Sequence, residues 1–265
     1  MYTFDYVKPA SLADAVAALK ADPEAKAVSG GMTLLPTMKQ RLARPSKIVD
    51  LSAIAALKGI KVEGGKVTIG AGTRHHDVAS SAEVKKAIPA LAALAAHIGD
   101  PAVRNRGTLG GSVANNDPTA DYPAAVLALG ATVVTDRRRI AADDFFQGMF
   151  TTALEEGELI TAIEFPVPEK AAYMKFPNPA SRYAMVGVFV AKGPAGVRVA
   201  VTGAGQGGVF RQQAMEAALA KSWSADAVAK IATPADGLNS DIHASAEYRA
   251  HLVTVMAKRA VAAAA

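Results

Sequence analysis

Between short runs dense in glycine and proline, the apolar positions of this chain fall at helical spacing in some stretches and in brief continuous runs in others. Ser11-Leu12-Ala13-Asp14 reads as a capping box that opens a helix running to about Ala21. Ala25 to Ser29 predicts a strand, broken by Gly30-Gly31, and Leu34 to Ala43 recovers a helical pattern with Pro36 in its first turn, where the missing amide costs nothing. Lys47 to Leu51 is a further strand. Gly59 to Val62 and Lys66 to Gly70 form a hairpin about Glu63-Gly64-Gly65, and His75 to Ile98 is mostly helical with a junction at Pro89.

Gly99 to Thr119 is so rich in Gly, Asn, Asp and Pro that no regular element is expected there, only a long loop, ordered or not. A buried helix at Ala124 to Leu129 and strands at Ala131 to Thr135 and Ile160 to Phe165 lead to Pro166-Val167-Pro168, which marks a domain boundary. Beyond it lie strands near Tyr173 to Phe176, Met185 to Lys192 and Val197 to Thr202, then helices at Gln212 to Lys221, Ala225 to Ile231 and Ala244 to Ala263. The pattern predicts an α+β protein of two domains, 1–168 and 169–265, the second built on a three-stranded antiparallel sheet with helices.

Composition narrows the function. The 265 residues are 51% hydrophobic and 20% charged, with a formal net charge of +5 and no cysteine. Any iron–sulfur cluster must therefore be held by another chain, and a thiol nucleophile or thiolate zinc site is excluded. Basic residues are scattered apart from Arg137-Arg138-Arg139, which argues against nucleic acid. Ile88 to Ala96 and Pro123 to Val134 are too short to span a bilayer, and the first six residues lack the pattern of a signal peptide, so no integral membrane segment and a cytoplasmic location are expected.

Two glycine loops are the candidates for chemistry. In Ser29-Gly30-Gly31-Met32-Thr33, paired glycines between strand and helix can aim consecutive amides at a diphosphate, or can form an ordinary left-handed turn. Thr108-Leu109-Gly110-Gly111-Ser112 offers a second set of donors, suited to the other side of the same diphosphate. Asp121 can accept from a sugar or ribityl hydroxyl, or cap the helix that follows it. Gly203-Ala204-Gly205-Gln206-Gly207-Gly208 formally matches a Rossmann fingerprint, but no later strand completes a βαβ unit and Phe210-Arg211 extends the irregular stretch, so it reads as a turn. His75-His76-Asp77 lacks a third metal ligand and reads as a helix cap. No serine sits in a nucleophile elbow. Arg104 and Arg106 can neutralise phosphate, pair with a partner subunit or simply face solvent.

Val28-Ser29-Gly30-Gly31-Met32-Thr33-Leu34-Leu35-Pro36, Thr68-Ile69-Gly70-Ala71-Gly72-Thr73 and the run from Ile98 to Ser112 resemble the FAD-binding medium subunit of the xanthine dehydrogenase and aerobic carbon monoxide dehydrogenase family of molybdenum hydroxylases. The likeness covers nearly the whole chain, including Ala244 to Arg249 and Arg259-Ala260 near its end. It implies a two-part FAD-binding domain of the vanillyl-alcohol-oxidase-like (PCMH) kind, with halves of about 1–55 and 56–168, followed by a carbon monoxide dehydrogenase flavoprotein-like C-terminal domain. By residue matching it implies FAD contacts at Val28, Ser29, Gly30, Gly31, Met32, Thr33 and Leu34, and at Thr108, Leu109, Gly110, Gly111 and Ser112. Asp121 then falls at a cofactor-binding acid, Ile98 and Ile160 at apolar contacts, Lys175 at a flavin-binding lysine and Tyr183 near a tyrosine that covers the ring. Two departures stand out: Met32 where carbon monoxide enzymes often carry histidine, and Ser112 where many members carry asparagine.

The resemblance further implies an oxidoreductase subunit working in a heterohexamer with a molybdenum-cofactor large subunit and a [2Fe-2S] small subunit, and handing electrons to a quinone, NAD or oxygen. A cation about 4 Å from an anionic reduced flavin is worth on the order of 4 kcal/mol at an effective dielectric of 20, so Lys175 would raise the reduction potential. A free-standing flavin-dependent oxidase or reductase, and a non-enzymatic nucleotide-binding module, are the rival readings. The first lacks a His–acid arrangement for substrate chemistry, and a yellow preparation with an FAD spectrum would exclude the second.

Overall fold

The computed structural model describes residues 1–264. Strand β1 (Asp5–Val7), helix α1 (Leu12–Lys20), β2 (Lys26–Val28), α2 (Leu34–Lys39) and β3 (Lys47–Asp50) form an N-terminal unit in which β3 lies between β1 and β2 in a parallel sheet. The N-cap half of the expected capping box is formed, with the Asp14 amide donating to Ser11 Oγ at 3.1 Å, but the Asp14 carboxylate takes the Ser11 hydroxyl at 2.6 Å rather than a free amide. Ala15 and Leu19 bury the inner face of α1 against Val49 and Ile54.

A second layer begins with the hairpin β4 (Ile60–Glu63) and β5 (Lys66–Gly70). Helices α3 (His75–Ser80), α4 (Ala82–Ala87) and α5 (Pro89–Ala96) follow, Pro89 occupying the first turn of α5. The stretch expected to hold no regular element instead carries two short helices, α6 (Pro101–Arg104) and α7 (Leu109–Asn115). Each has a side-chain cap: Asp100 accepts from the Val103 amide at 2.9 Å, and Thr108 from the Gly111 amide at 3.2 Å. Helix α8 (Tyr122–Ala128), whose seven residues are all buried, leads to β6 (Thr132–Thr135), β7 (Arg139–Ala141), α9 (Ala142–Phe145), the small pair β8 (Phe146–Gly148) and β9 (Thr151–Thr152), and β10 (Ile160–Pro166). The resulting antiparallel sheet has the order β4-β5-β10-β6-β7. Its arginine run is neutralised within the chain: Arg137 pairs with Glu155, Arg138 with Glu158 and Arg139 with Glu164.

The C-terminal sheet has four antiparallel strands rather than the three expected: β11 (Lys170–Pro177), β12 (Ala184–Gly193), β13 (Gly196–Thr202) and β14 (Phe210–Arg211). Phe210-Arg211, read from sequence as irregular, supplies the fourth. A two-residue strand is too short to show a period, and it is fixed by pairing Ala200 with Arg211 and Val201 with Phe210. The sheet is buried on both faces, with alternate residues going to different cores. Val186, Val188 and Val190 pack with Met256 and Ala260 of α12 (Ala246–Ala263), introduced by α10 (Gln213–Lys221) and α11 (Ala225–Ala229). Tyr173, Phe189 and Ala200 join the core of the preceding domain. This second face couples the C-terminal segment to the residues around Asp121. The Gly203–Gly208 stretch is a turn, its Gly203 carbonyl accepting from the buried Arg249 guanidinium at 3.1 Å.

Candidate functional site

A cavity of about 640 Å³ lies where the N-terminal unit, the second layer and the C-terminal segment meet, in the middle of the size range of small-molecule and cofactor sites. Fifteen of the residues expected at the cofactor reach it: Val28, Ser29, Gly30, Gly31, Met32, Thr33, Leu34, Ile98, Thr108, Gly110, Gly111, Ser112, Asp121, Ile160 and Tyr183. Two do not. Leu109 is fully buried in the core of the second layer, and Lys175 stands behind Asp121.

The first loop turns at Gly31, whose φ of +74° is the left-handed region where a Cβ is disfavoured. Among the described residues, the amides of Gly30, Gly31, Met32, Thr33 and Leu34 donate to no protein acceptor, which leaves a run of donors for a ligand oxygen. A Cβ on Gly30 would collide with the Arg106 carbonyl and lie 2.7 Å from Gly107 Cα, so the two glycine loops pack backbone against backbone. The Thr108 hydroxyl donates to Ser29 Oγ across that seam at 3.1 Å.

The second loop is built differently. Its Leu109 and Gly110 amides donate to the Thr73 and Ala71 carbonyls at 3.0 and 2.8 Å, and those of Gly111 and Ser112 to Thr108 itself. What it turns toward the cavity is the exposed backbone of Gly111 and the Thr108 and Ser112 side chains.

Asp121 is 4% exposed and sits at the start of α8 without capping it. Its carboxylate instead accepts from the Tyr173 hydroxyl at 2.6 Å and the Lys175 ammonium at 2.9 Å, and Lys175 also donates to the His97 carbonyl at 3.1 Å. Burial pushes the Asp121 carboxyl up, and the Lys175 charge and the Tyr173 hydroxyl pull against it.

Two further features escaped the sequence reading. His75 does not cap a helix: Arg74 occupies that position, and the His75 ring is buried in the cavity wall against Gly107 and Tyr122. Burial, with Arg104 nearby, holds it neutral down to about pH 4. Arg104 spends its guanidinium on the Ile98 and Gly99 carbonyls, at 3.1 and 3.0 Å. Phe150 also reaches the cavity, from a stretch whose only sequence signal is Gly148.

The cleft fits FAD on its own terms. It has unsatisfied amides beside a left-handed glycine, an exposed glycine at 111 on the cavity wall, and a buried carboxylate with acceptor capacity to spare. Such a set suits the diphosphate and sugar hydroxyls of a dinucleotide, and the family models make it a flavoprotein. Residues 2–168 match the model of the FAD binding domain in molybdopterin dehydrogenase, and residues 171–264 that of the CO dehydrogenase flavoprotein C-terminal domain. The chain belongs to the family of FAD-binding medium subunits of carbon monoxide dehydrogenase and xanthine dehydrogenase type molybdenum hydroxylases.

Among its relatives, the carbon monoxide dehydrogenase medium chain of Hydrogenophaga pseudoflava is 36% identical over 281 residues, covering 98% of this chain and 96% of that one. The nicotine 6-hydroxylase medium subunit of Paenarthrobacter nicotinovorans is 37% identical, covering 97% and 95%. The solved structure of reconstituted CO dehydrogenase from Oligotropha carboxidovorans superposes with a TM-score of 0.90 at 35% identity, covering 98% of this chain and 97% of that one. No helix among the described residues is long and apolar enough to cross a membrane.

Proposed function

We propose that this chain is the electron-transfer subunit of a cytoplasmic molybdenum hydroxylase complex. It receives electrons from [2Fe-2S] clusters of a small subunit, downstream of a molybdenum-cofactor large subunit in a heterohexamer, and delivers them through FAD to an external quinone, NAD or oxygen. In this reading residues 1–168 are the FAD-binding domain, with halves of about 1–55 and 56–168, and 169–265 the smaller domain. FAD, when bound, supplies a redox centre able to take up electrons singly and in pairs.

The residues of this chain bind, orient and tune. The free amides of 30–34 and the Ser112 hydroxyl hold the diphosphate, Thr108 joins the two loops through Ser29, Asp121 accepts from a ribityl hydroxyl, Ile98 and Ile160 give apolar walls, and Tyr183 covers the ring. Lys175 acts through Asp121, 2.9 Å away, by keeping that carboxylate ionised and fixed. The observation that carries the reading is the meeting of the two glycine loops at the Ser29–Thr108 hydrogen bond on one cavity.

The test is purification of the chain with its associated proteins. An FAD spectrum, together with a molybdenum-containing large chain and a cysteine-rich small chain, is the expected result. An FAD-loaded protein that reduces or oxidises a substrate with no partner would favour a free-standing flavoenzyme instead, and a colourless chain that ignores added FAD would refute the assignment.

A further inference from the structure

The mouth of the cavity carries two outward-facing aromatic side chains, Phe150 at 57% exposure and Tyr183 at 46%. Family likeness gives a role to the tyrosine and none to Phe150. Yet Phe150 sits at the tip of the turn between β8 and β9 with φ +54°, a backbone region that bulky residues avoid and that glycine or asparagine fills at lower cost. Its ring, left mostly in water, does not offset that strain by burial.

The strain is enforced by a buried neighbour. The Phe150 amide donates to the Asn116 carbonyl at 3.1 Å, while the Asn116 side chain, 1% exposed in total, donates to the carbonyls of Gly148 at 2.7 Å and Thr151 at 2.9 Å. The turn is thus tied on both sides of Phe150. The loop bearing Tyr183 repeats the device: Arg182 has φ +62°, and the buried Asn178 accepts from the Ala180 and Ser181 amides at 2.9 and 3.1 Å. Strained backbone survives only where the surroundings over-determine it, and it collects at ligand clamps.

We propose that Phe150 is a second aromatic contact for the ring end of the FAD site, beside Tyr183, and that Asn116 is the positioning residue that holds it there before the cofactor arrives. The inference rests on the reading of the cavity as the FAD site.

The test uses the full chain stripped of flavin and titrated with FAD, with ADP as a competitor that lacks the ring. Phe150→Gly relieves the left-handed strain and removes the ring. Its apo-protein melting midpoint is expected to stay level or rise, while FAD affinity falls about tenfold, the worth of one lost aromatic contact with its buried area, and ADP affinity is unchanged. Phe150→Asn, which also tolerates the backbone, gives the same loss if the glycine variant folds poorly, and Phe150→Tyr retains affinity. Asn116→Gly keeps the left-handed conformation and removes the clamp. It weakens FAD binding in the unmodified chain and adds little in the Phe150→Gly background. FAD affinity within twofold of the parent in Phe150→Gly and Phe150→Asn, or equal weakening of FAD and ADP, would overturn the proposal. Binding of neither ligand by the unmodified chain would overturn the site reading, and the inference with it.

Discussion

The two glycine loops look alike on paper and work by different physics. At 30–34 the backbone leaves its donors unspent and turns through a left-handed Gly31. At 108–112 most donors are consumed inside the fold, and the first glycine of the pair is a packing residue: a Cβ on Gly110 would lie 2.8 Å from Ala71 Cα and 2.9 Å from its carbonyl oxygen. Only the next residue, Gly111, is exposed toward the cavity, with Thr108 Oγ1 the sole neighbour of an added Cβ, at 2.9 Å. Glycine density therefore marks close approach, but not whether the thing approached is a ligand or the protein's own backbone.

That contrast is tested first at its most damaging point. Gly110→Val overpacks a buried contact against rigid backbone and is expected to cost about 3 kcal/mol of stability, read as a lowered denaturant midpoint with or without FAD. A variant as stable as the parent would show that Gly110 is not a packing residue.

His75, which packs on Gly107 at the base of the same loop, sets the next effect. It stays neutral in the folded protein down to about 4, whereas the unfolded imidazole titrates near 6.5. The unfolded state then binds the extra proton as pH falls from 6.5 to 4, so stability is full above 6.5 and declines by roughly 3 kcal/mol across that window. A His75→Phe variant should show a flat profile there. Glu158 and Glu164, held at about 2 chiefly by their bonds to Arg138 and Arg139, lose their contribution only below about 4.5, so the two losses are separable in one acid titration. A decline between 6.5 and 4 that persists in the variant would remove His75 as its source.

Gly111→Val, one residue from the packing glycine, should do the opposite of Gly110→Val. It is expected to leave both domains folded and to abolish FAD retention, a loss of at least about 100-fold in affinity, or ~2.7 kcal/mol, because the branched side chain enters the ligand's space. Normal flavin content would contradict the assignment of this loop.

How much of this could be read from the chain follows the same divide between local and tertiary causes. The helix cap at Ser11, the hairpin at Gly64-Gly65 and the long helix after Ala244 are written in consecutive residues, and the structure has them. Helix α7 was hidden because it contains Gly110-Gly111, poor helix formers, and is held by the Thr108 cap and by the Ala71 carbonyl 39 positions away. Strand β14 was hidden by its length of two residues. Within the cavity, the glycine loops and Asp121 carry local signatures, whereas Phe150 and His75 arrive through packing alone, with Asn116 reaching 32 and 35 positions along the chain to hold the Phe150 turn.

Lys175 gives the smallest and sharpest test, because it acts from behind the cavity. Its ammonium is balanced by Asp121 at 2.9 Å, both side chains being about 95% buried, so the pair presents almost no net charge to a bound flavin. Lys175→Met leaves that carboxylate with the Tyr173 hydroxyl alone, and burial, already raising its pKa, would raise it further. Where Asp121 takes up a proton the site stays neutral and the flavin potential should hardly move. At higher pH, where it ionises unpaired, the potential should fall by roughly 30 mV, equal to about 1.4 kcal/mol for a two-electron couple. Potentiometric titrations at several pH values resolve this. A fall of equal size at every pH would mean that Lys175 acts on the flavin directly, and a second substitution, Asp121→Asn, should restore the potential only if the carboxylate is the intermediary.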